Sequence, residues 1–354
     1  MRIVTFNSQE LDAFLDHYLA TWRAKWPSSA LLDALRDGLR HYTKGGKRLR
    51  ARGVELGFSL VADSTTPARA SLLGQAAVEI YQGSALAHDD IVDNADKRRG
   101  AASLHRFYEY FHAASNFRGN REAFGKNSAL LAGDLLLSLS QELANEASDL
   151  APTNQPRDTF VQMTAEVAMG QFLDCALEDA PLMDDPELAL QTALEVIKHK
   201  AARYSVCLPV VFGAQLAGVQ PQVRQVLEQI LEPWGCAFQL RDDQLGTFGD
   251  DSLTGKVTGG DLREGKRTVL VALTIRRLQD SAGEFLAHLG TDLTSEQVKH
   301  MQATIKRCGA YEDHEELITQ LLERGNAHLR NLQIDQAHKQ ALEDFRDLLI
   351  NRKS

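Results

Sequence analysis

The chain has 354 residues, 44% hydrophobic and 25% charged, which is ample for a sizeable core. A net charge of −9 argues against a nucleic-acid partner. Four cysteines, Cys175, Cys207, Cys236 and Cys308, form no CxxC pair, which argues against a zinc site or disulfide framework and fits a reducing cytoplasm.

The N-terminal stretch "MRIVTFNSQELDAFLDHYLATW" has no signal-peptide core. Leu11, Phe14, Leu15, Tyr18 and Leu19 recur at three- and four-residue steps and predict a helix. "KGGKRLRAR" (44–52) reads as a Gly-Gly turn followed by Lys47, Arg48 and Arg50. "AAVEIYQGSALAH" (76–88) predicts a buried helix running into "DDIVDNADKRRG". On a continuing helix Asp89, Asp93 and Asp96 share one face, where like charges repel. Something positive must offset that repulsion.

"SNFRGNREAFGKN" (115–127) and "SDLAPTNQPRD" (148–158) read as loops. "VCLPVVFGAQLAGV" is too short to span a bilayer and contains Pro209 and Gln215, so no membrane span is expected. "FQLRDDQLG" places a second acidic pair, Asp242 and Asp243, after another apolar helical run. The stretch 245–266, with six glycines, is the longest irregular segment, of a kind that is usually functional or mobile. "LVALTIRRLQ" and "EELITQLLERGNAHLRNL" are again helical in period. The expectation is an all-α protein forming one domain, 1–354, without linker or repeat.

Two Asp pairs, each closing a helix of small residues, point to a metal site more than to solvated helix ends. Oxygen-only ligands select a hard ion, Mg²⁺ before Ca²⁺ or zinc. Mg²⁺ is usually held by few carboxylates plus substrate phosphates, so a phosphorylated or diphosphorylated ligand bridging the two aspartate faces is implied. Lys47, Arg48, Arg50, Arg98, Arg99, Lys200, Lys256 and Lys266, several beside glycines, suit an anion with many oxygens. Lys256, in the Gly-rich stretch, is placed to close over a phosphate.

"GGKRLR", "HDDIVDNADKRRG", "LLAGDLLL", "MGQFLD", "FQLRDDQLG" and "TGKVTGGDLREGKRT" occur in that order between about residue 40 and about residue 270. With this ordered set the chain resembles the trans-isoprenyl diphosphate synthases of the polyprenyl synthetase family, and the last segment resembles actinobacterial members. The resemblance implies a bundle of about a dozen helices around a central cavity, and a homodimer. It implies a prenyltransferase reaction: an allylic diphosphate ionises, the double bond of isopentenyl diphosphate attacks the cation, and a proton is lost. It implies Mg²⁺, three ions with substrate bound.

By the same resemblance Asp89 and Asp93 are direct Mg²⁺ ligands with Asp90 in support, and Asp242 is the ligand of a third ion with Asp243 nearby. Arg98, Lys200 and Lys256 contact the allylic diphosphate, and Lys266 also binds substrate. Gly46, Lys47, Arg50, Gln82 and Arg99 form the isopentenyl diphosphate pocket. Gln171, Phe238 and Gln239 lie near the reacting carbons. Asp96 is given only a solvated or supporting role. Three positions depart from the family pattern. Gly246 stands where the second motif has its last carboxylate, Gln82 where many members have His, and Ala201 where a Thr often follows the lysine.

Ser84 and Ala85 lie about 6–8 Å before Asp89 along a helix axis. Short-product members often place an aromatic floor there. Two small residues imply a product longer than C15, C20 geranylgeranyl diphosphate first, with farnesyl or a longer polyprenyl diphosphate as alternatives. Two further classes remain: a class I terpene cyclase, which has no need of "GGKRLR", and a non-catalytic partner subunit, which tends to lose an Asp motif.

Overall fold

The computed structural model describes residues 6–22, 29–179, 185–249 and 259–351. Among the described residues the fold is all-α apart from one hairpin that pairs Lys97–Arg98 with Ala101–Ala102. The chain divides into two compact units, Met1–Phe160 with Pro209–Val219, and Val161–Leu208 with Gln220–Ser354. The one-domain reading therefore meets a finer division. Two of the crossings, at 160/161 and 208/209, fall inside helices rather than in loops, so no linker composition marks them.

The first unit holds α1 (Ser8–Trp22), α2 (Ala30–Thr43), α3 (Leu49–Ser59), α4 (Ala68–Val92), α5 (Leu104–Ala114) and α6 (Arg121–Asp149). It also takes the start of α7 (Gln155–Asp179), and from α9 (Leu208–Leu216) all but its first residue. α4 is buried almost all round, from Ala70 through Ser84, as expected of a central helix. α3 and α9 pack backbone against backbone. A Cβ on Gly57 would lie 1.8 Å from the Val210 carbonyl oxygen, and one on Gly213 2.0 Å from that of Val54. Only glycine permits that approach.

The second unit holds the rest of α7, then α8 (Pro186–Val196), a π-helical stretch Ile197–Cys207, α10 (Pro221–Phe248) and α11 (Gly260–Glu264). α12 (Val269–Leu278), α13 (Gly283–His288), α14 (Ser295–Arg307), α15 (Ala310–Asn331) and α16 (Gln336–Ile350) complete it. Its core gathers Ala237, Leu240, Leu262, Leu270, Leu273, Met301 and Ile318. Among the described residues no helix is long and apolar enough to cross a membrane.

Several sequence boundaries are corrected. The loop expected over 115–127 is shorter, because Asn120 accepts a hydrogen bond from the Ala123 N–H at 2.9 Å and starts α6 at Arg121. α6 runs to Asp149 and α7 starts at Gln155, so the second loop also shrinks. α10 continues to Phe248, and Asp242 and Asp243 lie within it rather than at its end. α4 stops at Val92 and Asn94 adopts φ 49, so Asp96 leaves the face that Asp89 and Asp93 share. Asp96 instead lies exposed and receives a bond from Arg106 at 2.8 Å.

His314 on α15 is completely buried, and neither ring nitrogen has a hydrogen-bond partner. Burial lowers its pKa from 6.5 to about 4, with the charge of Arg241 acting the same way and Glu315 opposing. The unfolded chain thus takes up a proton below pH 6.5 that the folded chain refuses until about pH 4. Stability is full above pH 6.5 and falls as the pH drops through that window. Denaturant unfolding at pH 7.5 and pH 5 should show the protein losing about 2 kcal/mol more than His314→Leu does over the same interval. Equal losses would contradict a neutral buried imidazole.

Candidate active site

The first aspartate cluster closes α4. Asp93 is its C-cap, and its N–H donates to the Asp89 carbonyl at 2.8 Å. Carboxylates at a helix C-terminus face the negative end of the dipole, which sharpens the need for a cation. Arg98 answers it from the hairpin. Its Nε donates to Asp90 Oδ1 at 2.7 Å and its Nη2 to Asp89 Oδ2 at 3.1 Å, with a further Nη2 bond to Asp90. Asp90 is fully buried and also accepts the Tyr42 hydroxyl of α2. Burial, then the Asp90 charge, push the Tyr42 pKa up, so its proton stays on the hydroxyl. Asp90 therefore aims Arg98, while the Asp89 carboxylate stays 21% exposed and Asp93 lies at the surface.

The Gly-Gly turn assembles next to the hairpin. Gly45 and Gly46 have φ of 72° and 95°, which glycine alone adopts without strain. Arg99 Nη1 donates to the carbonyls of Lys44 at 3.3 Å and Gly45 at 3.2 Å. A Cβ on Gly46 would lie 3.0 Å from the Arg99 guanidinium carbon. Lys47 is exposed and Arg50 half-buried, whereas Arg48 turns inward. Gln82 is buried on α4. Ser84 is only 2% exposed, packed in the interior, but Ala85, one turn before Asp89 on the same face, is half-exposed.

In the second unit Lys200 lies on the π-helical stretch, and its Nζ meets Asp174 Oδ2 of α7 at 2.5 Å. Gly170 lets the two helices approach, since a Cβ there would lie 2.5 Å from the Lys200 backbone nitrogen. π-turns often mark functional sites. Gln171 Nε2 lies 3.8 Å from Cys175 Sγ. On α10 Phe238 is buried, Gln239 Nε2 donates to Asp243 Oδ1 at 2.8 Å, and Asp242 is half-buried. Burial, then the charge of Asp261, push the Asp243 pKa well up.

The missing carboxylate at Gly246 has a structural counterpart. A Cβ on Gly246 would lie 2.0 Å from Asp261 Oδ2, so the side chain of Asp261 fills the space beside the glycine. Lys266 Nζ stands 3.8 Å from Asp261 Oδ1 and 2.7 Å from Glu264 Oε2. Lys256 lies outside the described residues. Sequence reasoning assigns no role to Tyr42, Glu79, Asp174 or Asp261. Only Asp174 and Asp261 stand inside the family-like segments, "MGQFLD" and "GGDLREGK".

Among the described residues no three His, Cys, Asp or Glu side chains form a metal-holding group by themselves. Mg²⁺ is usually held by one or two carboxylates, with water and phosphate oxygens completing its shell, rather than by a protein cage. Asp89 and Asp93, oxygen donors one helical turn apart with accessible carboxylates, fit such an ion.

Comparison with known proteins agrees with this chemistry. The solved geranylgeranyl pyrophosphate synthase of Corynebacterium glutamicum, complexed with isoprenyl diphosphate and magnesium, has 34% identity and a TM-score of 0.88, over 97% of this chain and 98% of that one. A geranylgeranyl diphosphate synthase of Methanosarcina mazei is 28% identical over 98% of this chain and 96% of its own. A geranylfarnesyl diphosphate synthase of Aeropyrum pernix is 26% identical over 96% and 99%. Residues 33–306 match the family description "Polyprenyl synthetase". The chain belongs to the polyprenyl synthetase family.

Proposed function

We propose that this protein is a prenyltransferase that condenses isopentenyl diphosphate with an allylic diphosphate and releases a longer trans-prenyl diphosphate, geranylgeranyl diphosphate first. The observation that carries the reading is Arg98 held by Asp89 and buried Asp90, beside a half-exposed carboxylate one turn from Asp93. In the reaction the allylic C–O bond breaks and the diphosphate departs with the electron pair. The isopentenyl double bond then forms the new C–C bond, and a proton leaves. Asp89 and Asp93, and separately Asp242, are the residues that would hold Mg²⁺, three ions by this reading, and the metal would supply neutralising charge for the departing diphosphate.

The chain's own groups do the rest. Arg98, Lys200 and Lys256 bind the allylic diphosphate as donors to developing charge, and Lys266 also binds substrate. Gly46, Lys47, Arg50, Gln82 and Arg99 hold the isopentenyl diphosphate. Gln171, Phe238 and Gln239 border the reacting carbons, and apolar walls keep water from the cation. The same reading carries a homodimer, which sedimentation velocity measures.

Asp242→Ala should impair turnover more than Asp243→Ala. Asp242 is the more accessible of the two, while Asp243 is buried and engaged by Gln239. Loss of a supporting carboxylate costs about 10–100-fold. Steady-state kinetics of both variants decide it, and a reversed order would reassign the direct ligand.

Product length rests on Ala85. Because it shares the face of Asp89 and Ser84 does not, Ala85→Phe should shorten the product by at least one isoprene unit. Ser84→Phe should mainly overpack the interior, at a cost of about 1–3 kcal/mol in stability. Chromatography of the dephosphorylated product tests this and the C20 assignment together. A wild-type C15 product, or an Ala85→Phe profile identical to wild type, would count against it.

A further inference from the structure

Glu79 is a carboxylate only 5% exposed in the middle of α4, between Val78 and Ile80, which are both fully buried. Such a charge is costly unless paired and hydrogen-bonded. Its Oε2 accepts Arg48 Nη1 at 2.9 Å, and its Oε1 accepts the Ala51 N–H in the first turn of α3 at 3.2 Å. Arg48 is the N-cap of α3 and adopts φ 52, a conformation that residues other than Gly, Asn and Asp seldom adopt. Its side chain is held by Asp12 at 2.6 Å and by the Thr43 carbonyl at 2.9 Å as well as by Glu79. The Thr43 contact closes the turn 44–47 into a ring. Arg99 then rests on the carbonyls of that ring, and the charges of Glu79, Arg48 and Arg50 all act on it.

We propose that Glu79, acting through Arg48, is a positioning residue for the isopentenyl diphosphate pocket: it locks the Gly45–Gly46–Lys47 turn and balances the arginines that crowd beside it. The proposal rests on the functional reading that assigns Gly46, Lys47, Arg50 and Arg99 to that diphosphate. A pocket held in its binding form before substrate arrives loses less freedom on binding. The effect should therefore fall on one substrate and spare the other.

Isopentenyl diphosphate is first titrated calorimetrically into the wild-type protein. No binding there counts against the functional reading and removes the inference with it. With wild-type binding present, Glu79→Gln, which keeps the shape and an acceptor but not the charge, should raise the Kd and KM for isopentenyl diphosphate at least tenfold. The KM for the allylic diphosphate and kcat should stay within about threefold, a split that general loosening of the fold would not give. On an Arg48→Met background Glu79→Gln should add little, because both act through one contact. Unchanged or tighter isopentenyl diphosphate binding, or equal losses for both substrates, overturns the inference. If Glu79→Gln does not fold, Asp12→Asn decides from the half-exposed end of the same network. A smaller selective loss there supports the inference, and no loss overturns it.

Discussion

Asp89→Ala should abolish turnover, with kcat expected to fall on the order of a thousandfold or more while the fold survives. A metal ligand at a departing diphosphate contributes several kcal/mol to the transition state, and each 1.36 kcal/mol is about tenfold in rate. Asp89 is half-exposed, and the Arg98 Nη2 that donates to it also donates to Asp90. The variant therefore leaves the buried pair in place and should melt close to the wild type. Single-turnover rates and a thermal melt on the same preparation check both halves. A variant that keeps a tenth of wild-type kcat would remove Asp89 from the metal site.

Asp90→Ala has the largest expected effect on stability. Asp90 is 0% exposed, bonded to the Arg98 guanidinium and to the Tyr42 hydroxyl. Removing it leaves the Tyr42 hydroxyl without its partner and Arg98 with only its 3.1 Å contact to Asp89, a loss approaching the roughly 3–5 kcal/mol of a broken buried pair. Arg98 also loses the anchor that aims it, so turnover falls together with stability. Asp90→Asn keeps the shape and an acceptor and should recover part of the stability but less of the rate. Denaturant unfolding followed by kinetics separates the two. A stable, active Asp90→Ala protein would show that Arg98 is aimed by something else.

These two neighbours show what the sequence reveals and what it hides. The run "HDDIVDNADKRRG" makes the need for a cation visible, and the order of six short segments points to the family. Helical period marks most helices, because each buries a stripe along one face. The division of labour between Asp89 and Asp90 is not visible. It depends on Tyr42, 48 residues earlier, reaching the buried side of the helix end. Asp261 beside Gly246 is hidden in the same way, since an absent Cβ in one helix makes room for a carboxylate from another element. Helix ends depart from the sequence pattern where a cap outweighs composition, as at Asn120, or where the backbone turns left-handed, as at Asn94. Ser84 and Ala85 look equivalent in sequence, but the period of α4 turns one inward and leaves the other half-exposed.

Incubation of the purified chain alone with Mg²⁺, an allylic diphosphate and isotope-labelled isopentenyl diphosphate tests the central claim most directly. The account predicts label in an extractable prenyl diphosphate, lengthened by five-carbon units, and none when either substrate or the metal is withheld. A product made from the allylic diphosphate without label, as a terpene cyclase would give, or no product from the chain alone, as a non-catalytic subunit would give, would contradict it.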